Sequence, residues 1–153
     1  MTLPRYIEAG LTHHITRRCN LRQFLLRPDP KVIQLFVYVF AVASERFEVD
    51  IFRLQLMSNH YHDTVGDRGG RLPDFLHWTN LAIATGIQHI LGVEGAVFEP
   101  SKATGDQIIW TEEAFWKMQG YLHANPVAAG ITDKPEQWDG TLTPAGVNEL
   151  EAE

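Results

Sequence analysis

Residues 48–65 read Glu48-Val49-Asp50-Ile51-Phe52-Arg53-Leu54-Gln55-Leu56-Met57-Ser58-Asn59-His60-Tyr61-His62-Asp63-Thr64-Val65. From Glu48 to Leu56 apolar and polar side chains alternate well enough for a β-strand, and His60 to Val65 resumes an extended pattern after Ser58-Asn59. Ser58-Asn59 is either a tight turn or a bulge. A tight turn pairs the two strands antiparallel and sets the histidines near the middle of a sheet. Successive strand side chains point to opposite faces, so His60 and His62 share one face and Tyr61 takes the other. Two imidazoles then converge on one point, which suits a divalent cation because each neutral ring offers one lone pair. An ordinary polar strand face carries the same pair, so a site here also needs a third ligand and a reacting group from another segment.

Upstream, Leu11 to Thr16 reads as a strand with Arg17 and Arg18 at its end. Asn20 to Pro30 is loop-like, with Phe24-Leu25-Leu26 able to dock into a core. Asp29 and Pro30 mark a helix start. Val32, Leu35, Phe36, Val39, Phe40 and Ala43 then form one helical stripe over about Lys31 to Phe47. Downstream, a helix spans roughly Pro73 to Leu91, with Phe75, Leu76, Ile83, Ile87 and Ile90 as core candidates and Gly92 at its end. Ala96 to Trp110 holds one or two strands. Thr111 caps a helix over about Glu112 to Ala124, with acidic residues in its first turn, and Pro126 is expected to stop it at or just before Asn125. The sum is an α+β fold, one antiparallel sheet with helices mainly on one face. Trp78, Trp110 and Trp116 are expected in its core.

At 153 residues, with 44% hydrophobic and 21% charged side chains, the chain is large enough to fold as one compact unit without disulfides or metal staples. The longest apolar run, near Val32 to Ala43, is too short to cross a bilayer, and no secretory leader is visible, so a cytoplasmic location is expected. Cys19 is the single cysteine, which excludes an internal disulfide and a thiolate zinc site and leaves it as a small apolar filler. The net charge of -6 weighs against nucleic-acid binding, but it is unevenly placed. Residues 1–46 are net basic, while the stretch from Asp133 onward holds six carboxylates against Lys134. The expected organisation is a domain over 1–131 and an acidic tail over 132–153 that wraps the surface or is partly mobile.

Tyr121 and Asn125 stand four apart on the last helix, so a phenol and an amide share one face. A half-buried amphipathic tyrosine and a C-cap asparagine would have the same spacing. Taken with the histidine pair and the first strand, these residues resemble the single-tyrosine HUH transposases, in particular the branch associated with repetitive extragenic palindromes. The features are Ile15-Thr16-Arg17-Arg18-Cys19 with Arg22-Gln23-Phe24, then Leu56-Met57-Ser58-Asn59-His60-Tyr61-His62, then Leu72-Pro73-Asp74-Phe75, and Tyr121-Leu122-His123-Ala124-Asn125-Pro126. They span about residues 9–131 in the expected order.

The resemblance implies a ferredoxin-like palm that cuts and joins single-stranded or hairpin DNA, as a monomer or homodimer. His60 and His62 would hold Mg²⁺ or Mn²⁺, with Asn125 as third protein ligand and Tyr121 as nucleophile, forming a 5′-phosphotyrosine. Arg17, Arg18 and Arg22 are assigned to phosphates, with solubilising surface charge as the alternative. His13 and His14 point opposite ways, at most one toward a metal, and both are read as structural. Two departures weaken the activity. Asp63 follows the motif where relatives carry an apolar residue, and Glu94–Gln107 has Lys102 as its only base. A relative that grips a DNA hairpin without cutting it, or a small metal-dependent hydrolase in which Tyr121 merely donates a hydrogen bond, are the rival functions.

Overall fold

A computed structural model describes residues 5–100, 104–134 and 140–142. Strand β1 (Leu11–Arg18) leads to helix α1 (Pro30–Phe47), the hairpin β2 (Val49–Leu56) and β3 (His60–Asp67), helix α2 (Leu72–Leu91), strand β4 (Gly105–Ile109), helix α3 (Glu112–Ala128) and the short strand β5 (Thr141–Leu142). The sheet order is β4-β1-β3-β2-β5, and every pairing is antiparallel. Strands β1 to β4 with α1 and α2 therefore make the ferredoxin-like β-α-β-β-α-β unit. Its central strand, β3, carries both histidines.

Ser58-Asn59 is a tight turn. The Met57 amide donates to the His60 carbonyl at 2.8 Å, and Ser58 takes the left-handed φ of 69°. The segment after β1 clamps this turn: the Cys19 amide donates to the Asn59 carbonyl at 2.8 Å and the Leu26 amide to the Ser58 carbonyl at 2.7 Å. Leu25, Leu26 and Cys19 are buried beneath it, and burial pushes the Cys19 thiol up to about 11.

Helices α1 and α2 cover one face of the sheet. Phe36 and Phe40 of α1 meet Tyr61 of β3 edge-on, and Phe40 meets Phe75 of α2. The Tyr61 hydroxyl donates to Asn80 Oδ1 at 2.8 Å, so its polar end is satisfied inside this layer. The α1 stripe is buried as expected, with Leu35 partly buried against Gly86 of α2, where a Cβ would come within 2.5 Å of a Leu35 methyl. Asp29 takes the N-cap position of α1 without a side-chain bond, leaving Pro30 to start the helix.

Two expectations need correction, the burial of the tryptophans and the end of the last helix. Trp110 and Trp116 lie at the surface, 67% and 63% exposed, and Trp78 is only partly buried. Ala96 to Trp110 yields one strand, β4, plus a single bridge from Phe98 to Cys19. Residues 101–103, including Lys102, lie outside the described residues. Helix α3 runs past Pro126 to Ala128. Most of the expected tail, 135–139 and 143–153, lies outside the described residues, while Thr141–Leu142 adds to the edge of β2. No helix among the described residues is long and apolar enough to cross a membrane.

Candidate active site

Helix α3 crosses the face of the sheet opposite α1 and α2, and that face carries the site. The β1–β3 register pairs Arg18 with His60, Thr16 with His62 and His14 with Thr64, so these six side chains share it. In β2 a bulge between Ile51 and Arg53 reverses the alternation, so Arg53 and Gln55, opposite Thr64 and His62, join them.

The imidazoles meet as a chain. His60 Nε2 and His62 Nε2 are 3.1 Å apart, and His62 Nδ1 lies 3.0 Å from His14 Nε2 and 3.2 Å from Thr16 Oγ1. Asn59 Oδ1 accepts from His60 Nδ1 at 2.7 Å. That bond assigns the His60 proton to Nδ1 and leaves its Nε2 lone pair aimed at His62. Burial, then neighbouring His60, His14 and Arg18, push His62 down to about 3. Burial lowers His60, with Arg18 adding, and burial lowers His14 against an opposing pull from Asp106. All three rings are therefore neutral at pH 7, with lone pairs to offer.

The space between the two Nε2 atoms fits either a proton or a shared cation. Two nitrogens about 2.1 Å from one ion at a right angle stand about 3.0 Å apart. No group of three or more His, Cys, Asp or Glu side chains converges as a metal site among the described residues. His14 reaches the far edge of the His62 ring, so a further ligand would come from a neutral oxygen such as an amide.

Asn125 is tied to β2 through Gln55. A proline inside a helix cannot donate to the carbonyl four residues back, and here Pro126 leaves that of Leu122 open. The buried Gln55 Nε2 donates to the Leu122 carbonyl instead, and also to Thr141 Oγ1 at 3.0 Å. Its Oε1 accepts from Asn125 Nδ2 at 3.3 Å. This explains why α3 continues past Pro126, and why Asn125 is an interior residue of α3 rather than its cap. Asn125 thus meets Gln55, the register partner of His62 across β2 and β3, and its Oδ1 is not engaged by this bond. Tyr121, one turn earlier, is 57% exposed. No hydrogen bond or ring contact joins Tyr121 or Asn125 to His60 or His62 among the described residues.

The three arginines separate. Arg18 lies beside the histidines, and Arg22 is exposed in the turn beyond β1 at a left-handed φ of 55°. Arg17 points to the opposite face, with its guanidinium 5.2 Å from the Phe98 ring centroid and its Nε buried. A groove of about 570 Å³ opens next to His60, walled by Phe24, Arg27, Met57 and Ile131. Sequence reading took His14 for a structural residue and gave no role of their own to Thr16, Gln55, Asn59 and Arg27. Only Asn59, adjacent to His60, carried a local signal.

The same architecture recurs in solved structures. A REP-associated tyrosine transposase bound to a REP hairpin superposes with a TM-score of 0.72 at 17% identity, over 92% of this chain and 81% of that one. The fold is shared. A candidate transposase from Deinococcus radiodurans R1 matches with a TM-score of 0.54 at 16% identity, over 79% of this chain and 95% of that one. No family model matches the sequence, and neither does any curated protein. At these identities the likeness concerns the backbone, and the chemistry has to be argued from the side chains.

Proposed function

We propose that this chain is a metal-dependent single-stranded DNA endonuclease and strand transferase, acting on single-stranded or hairpin DNA through a 5′-phosphotyrosine. The observation that carries this is the assigned His60 lone pair, aimed at His62 Nε2 across 3.1 Å on the central strand of a palm shared with transposase structures. His60, His62 and Asn125 would hold Mg²⁺ or Mn²⁺, which when bound supplies charge withdrawal from the scissile phosphate and a template for orienting it. Two imidazole ligands favour Mn²⁺ in intrinsic affinity.

The chain's own groups do the rest. The Tyr121 oxygen, free of hydrogen bonds to any described residue, gives up its proton and attacks phosphorus. A P–O bond forms to the phenol as the P–O3′ bond breaks, and the leaving oxygen takes a proton to become a 3′-hydroxyl. The phosphotyrosine conserves the bond, so a second 3′-hydroxyl reverses the step and joins strands without ATP. Arg18 and Arg22 bind flanking phosphates. The groove beside His60 gives the strand a path over the Phe24 ring, where Arg27 lies 5.6 Å from the centroid.

The exposure of Tyr121 and its lack of a contact with either histidine favour one rival, a protein that grips hairpin DNA without cutting it. A labelled hairpin with single-stranded flanks, incubated with Mn²⁺, separates the readings. A covalent adduct that disappears in Tyr121→Phe is expected. Binding without an adduct selects the gripping protein, and neither binding nor adduct selects a small metal-dependent hydrolase.

A further inference from the structure

A neutral imidazole has one N–H, and the nitrogen that carries it cannot be a ligand. His60 is committed by Asn59, but His62 is not: it lies between His60 on its Nε2 side and His14 and Thr16 on its Nδ1 side. With no cation present, a proton on His62 Nε2 bridges to His60. To share a cation with His60, His62 must carry that proton on Nδ1, and the proton then needs an acceptor.

We infer that His14 is a positioning residue for the site: its Nε2 accepts the Nδ1–H of His62 and so frees the His62 Nε2 lone pair to face a cation shared with His60. The inference rests on the proposed metal role of the histidine pair. The β1–β3 register puts His14 diagonally across from His62 on the same face. Their rings are near-parallel, inclined by 15° with centroids 5.1 Å apart, and Nε2 and Nδ1 stand 3.0 Å apart, within hydrogen-bond distance. His14 cannot bind the same ion, because it touches the ring edge opposite His60. Thr16 is the weaker acceptor, farther away at 3.2 Å and with a hydroxyl that rotates. Outer partners that orient a ligating histidine typically change metal affinity by about 10- to 100-fold when removed.

The test uses the full chain and Mn²⁺, with free ion measured by electron paramagnetic resonance. His14→Phe, which keeps a planar ring but no acceptor, is expected to weaken Mn²⁺ binding about 10-fold or more. His14→Gln, whose carbonyl can accept, restores it to within about 3-fold, and Thr16→Val costs less than His14→Phe. Imidazole ¹⁵N spectra with Mg²⁺ are expected to place the His62 proton on Nδ1. Equal Mn²⁺ affinity in the wild type and His14→Phe, or a His62 proton on Nε2 in the loaded protein, overturns this inference alone. A wild-type chain that binds no Mn²⁺ overturns it together with the metal site. Should His14→Phe fail to fold, the wild-type tautomer decides.

Discussion

Asp63 follows the histidine pair on β3, and strand alternation turns it away from the site into the layer beneath α1 and α2. It is fully buried, and neither carboxylate oxygen has a hydrogen-bond partner beyond its own backbone amide. Burial, and then the negative charge of Asp106, raise it well above the usual carboxylate range. A carboxyl raised on folding binds more protons in the native than in the unfolded chain, so stability falls as pH rises above the unfolded value near 4 and continues to fall until the folded value is passed. Asp63→Asn, which keeps the shape and cannot ionise, should match the wild type at about pH 4 and gain on it by up to about 1.4 kcal/mol per pH unit above that. Asp63→Val should stabilise by about 1–3 kcal/mol at pH 7, as read by urea unfolding. A wild type whose advantage instead grows with pH would mean that Asp63 is charged and paired. Period-two alternation made the facing of His60, His62 and Asp63 legible from sequence. It could not reveal His14, because only the register between β1 and β3 decides which residue of the first strand meets His62.

Helix α3 carries Tyr121 and Asn125; its buried residues are Gln119, Leu122 and Pro126, and Phe115 meets Phe52 of β2 edge-on. Polar stitches add to the docking: Arg53 Nε to Gln119 Oε1 at 2.7 Å, Gln119 Nε2 to Thr64 Oγ1 at 3.1 Å, and Gln55 to the Leu122 carbonyl. An element held this way opens before the core does, so α3 amides should exchange with deuterium faster than those of α1 and α2. Gln55→Leu strands the Leu122 carbonyl and should cost about 1–3 kcal/mol, with faster exchange confined mainly to α3. Pro126→Ala returns an N–H to that carbonyl, so the double variant should recover about 1 kcal/mol of the loss relative to additivity. Strict additivity would mean that Gln55 and Pro126 are unrelated. The start of α3 was readable from Thr111, whose side chain accepts from the Ala114 amide at 3.0 Å. Its end was not, because the group that replaces the missing N–H comes from β2. Nor was the bulge at Phe52 visible, since one extra residue in an alternating strand leaves no compositional mark.

On the scale of the whole chain, the order of elements was enough to anticipate an antiparallel sheet with helices mainly on one face. Strand order was open, because it depends on which edge each connection crosses rather than on any local pattern. Charge has the same non-local character. A net charge of -6 predicts weak attraction to phosphates, but the fold sorts the basic residues by use. Arg5, Arg68 and Arg71 pair with Asp106, Asp50 and Asp74, and Arg53 serves α3. Arg18 beside the histidines, Arg22 in the exposed turn after β1 and Arg27 on the wall of the neighbouring groove make no ion pair among the described residues. Each phosphate neutralised releases about 0.7–0.9 counterion, so three contacts give a slope of about -2 to -3 in log K against log salt. Fluorescence anisotropy with the flanked hairpin between about 50 and 200 mM salt measures it. Arg22→Ala should make the slope shallower by about 0.7–0.9 and weaken binding alike for all sequences. A slope near zero would take these arginines off the path of the DNA, and one much steeper would require cations elsewhere on the chain to carry the contact.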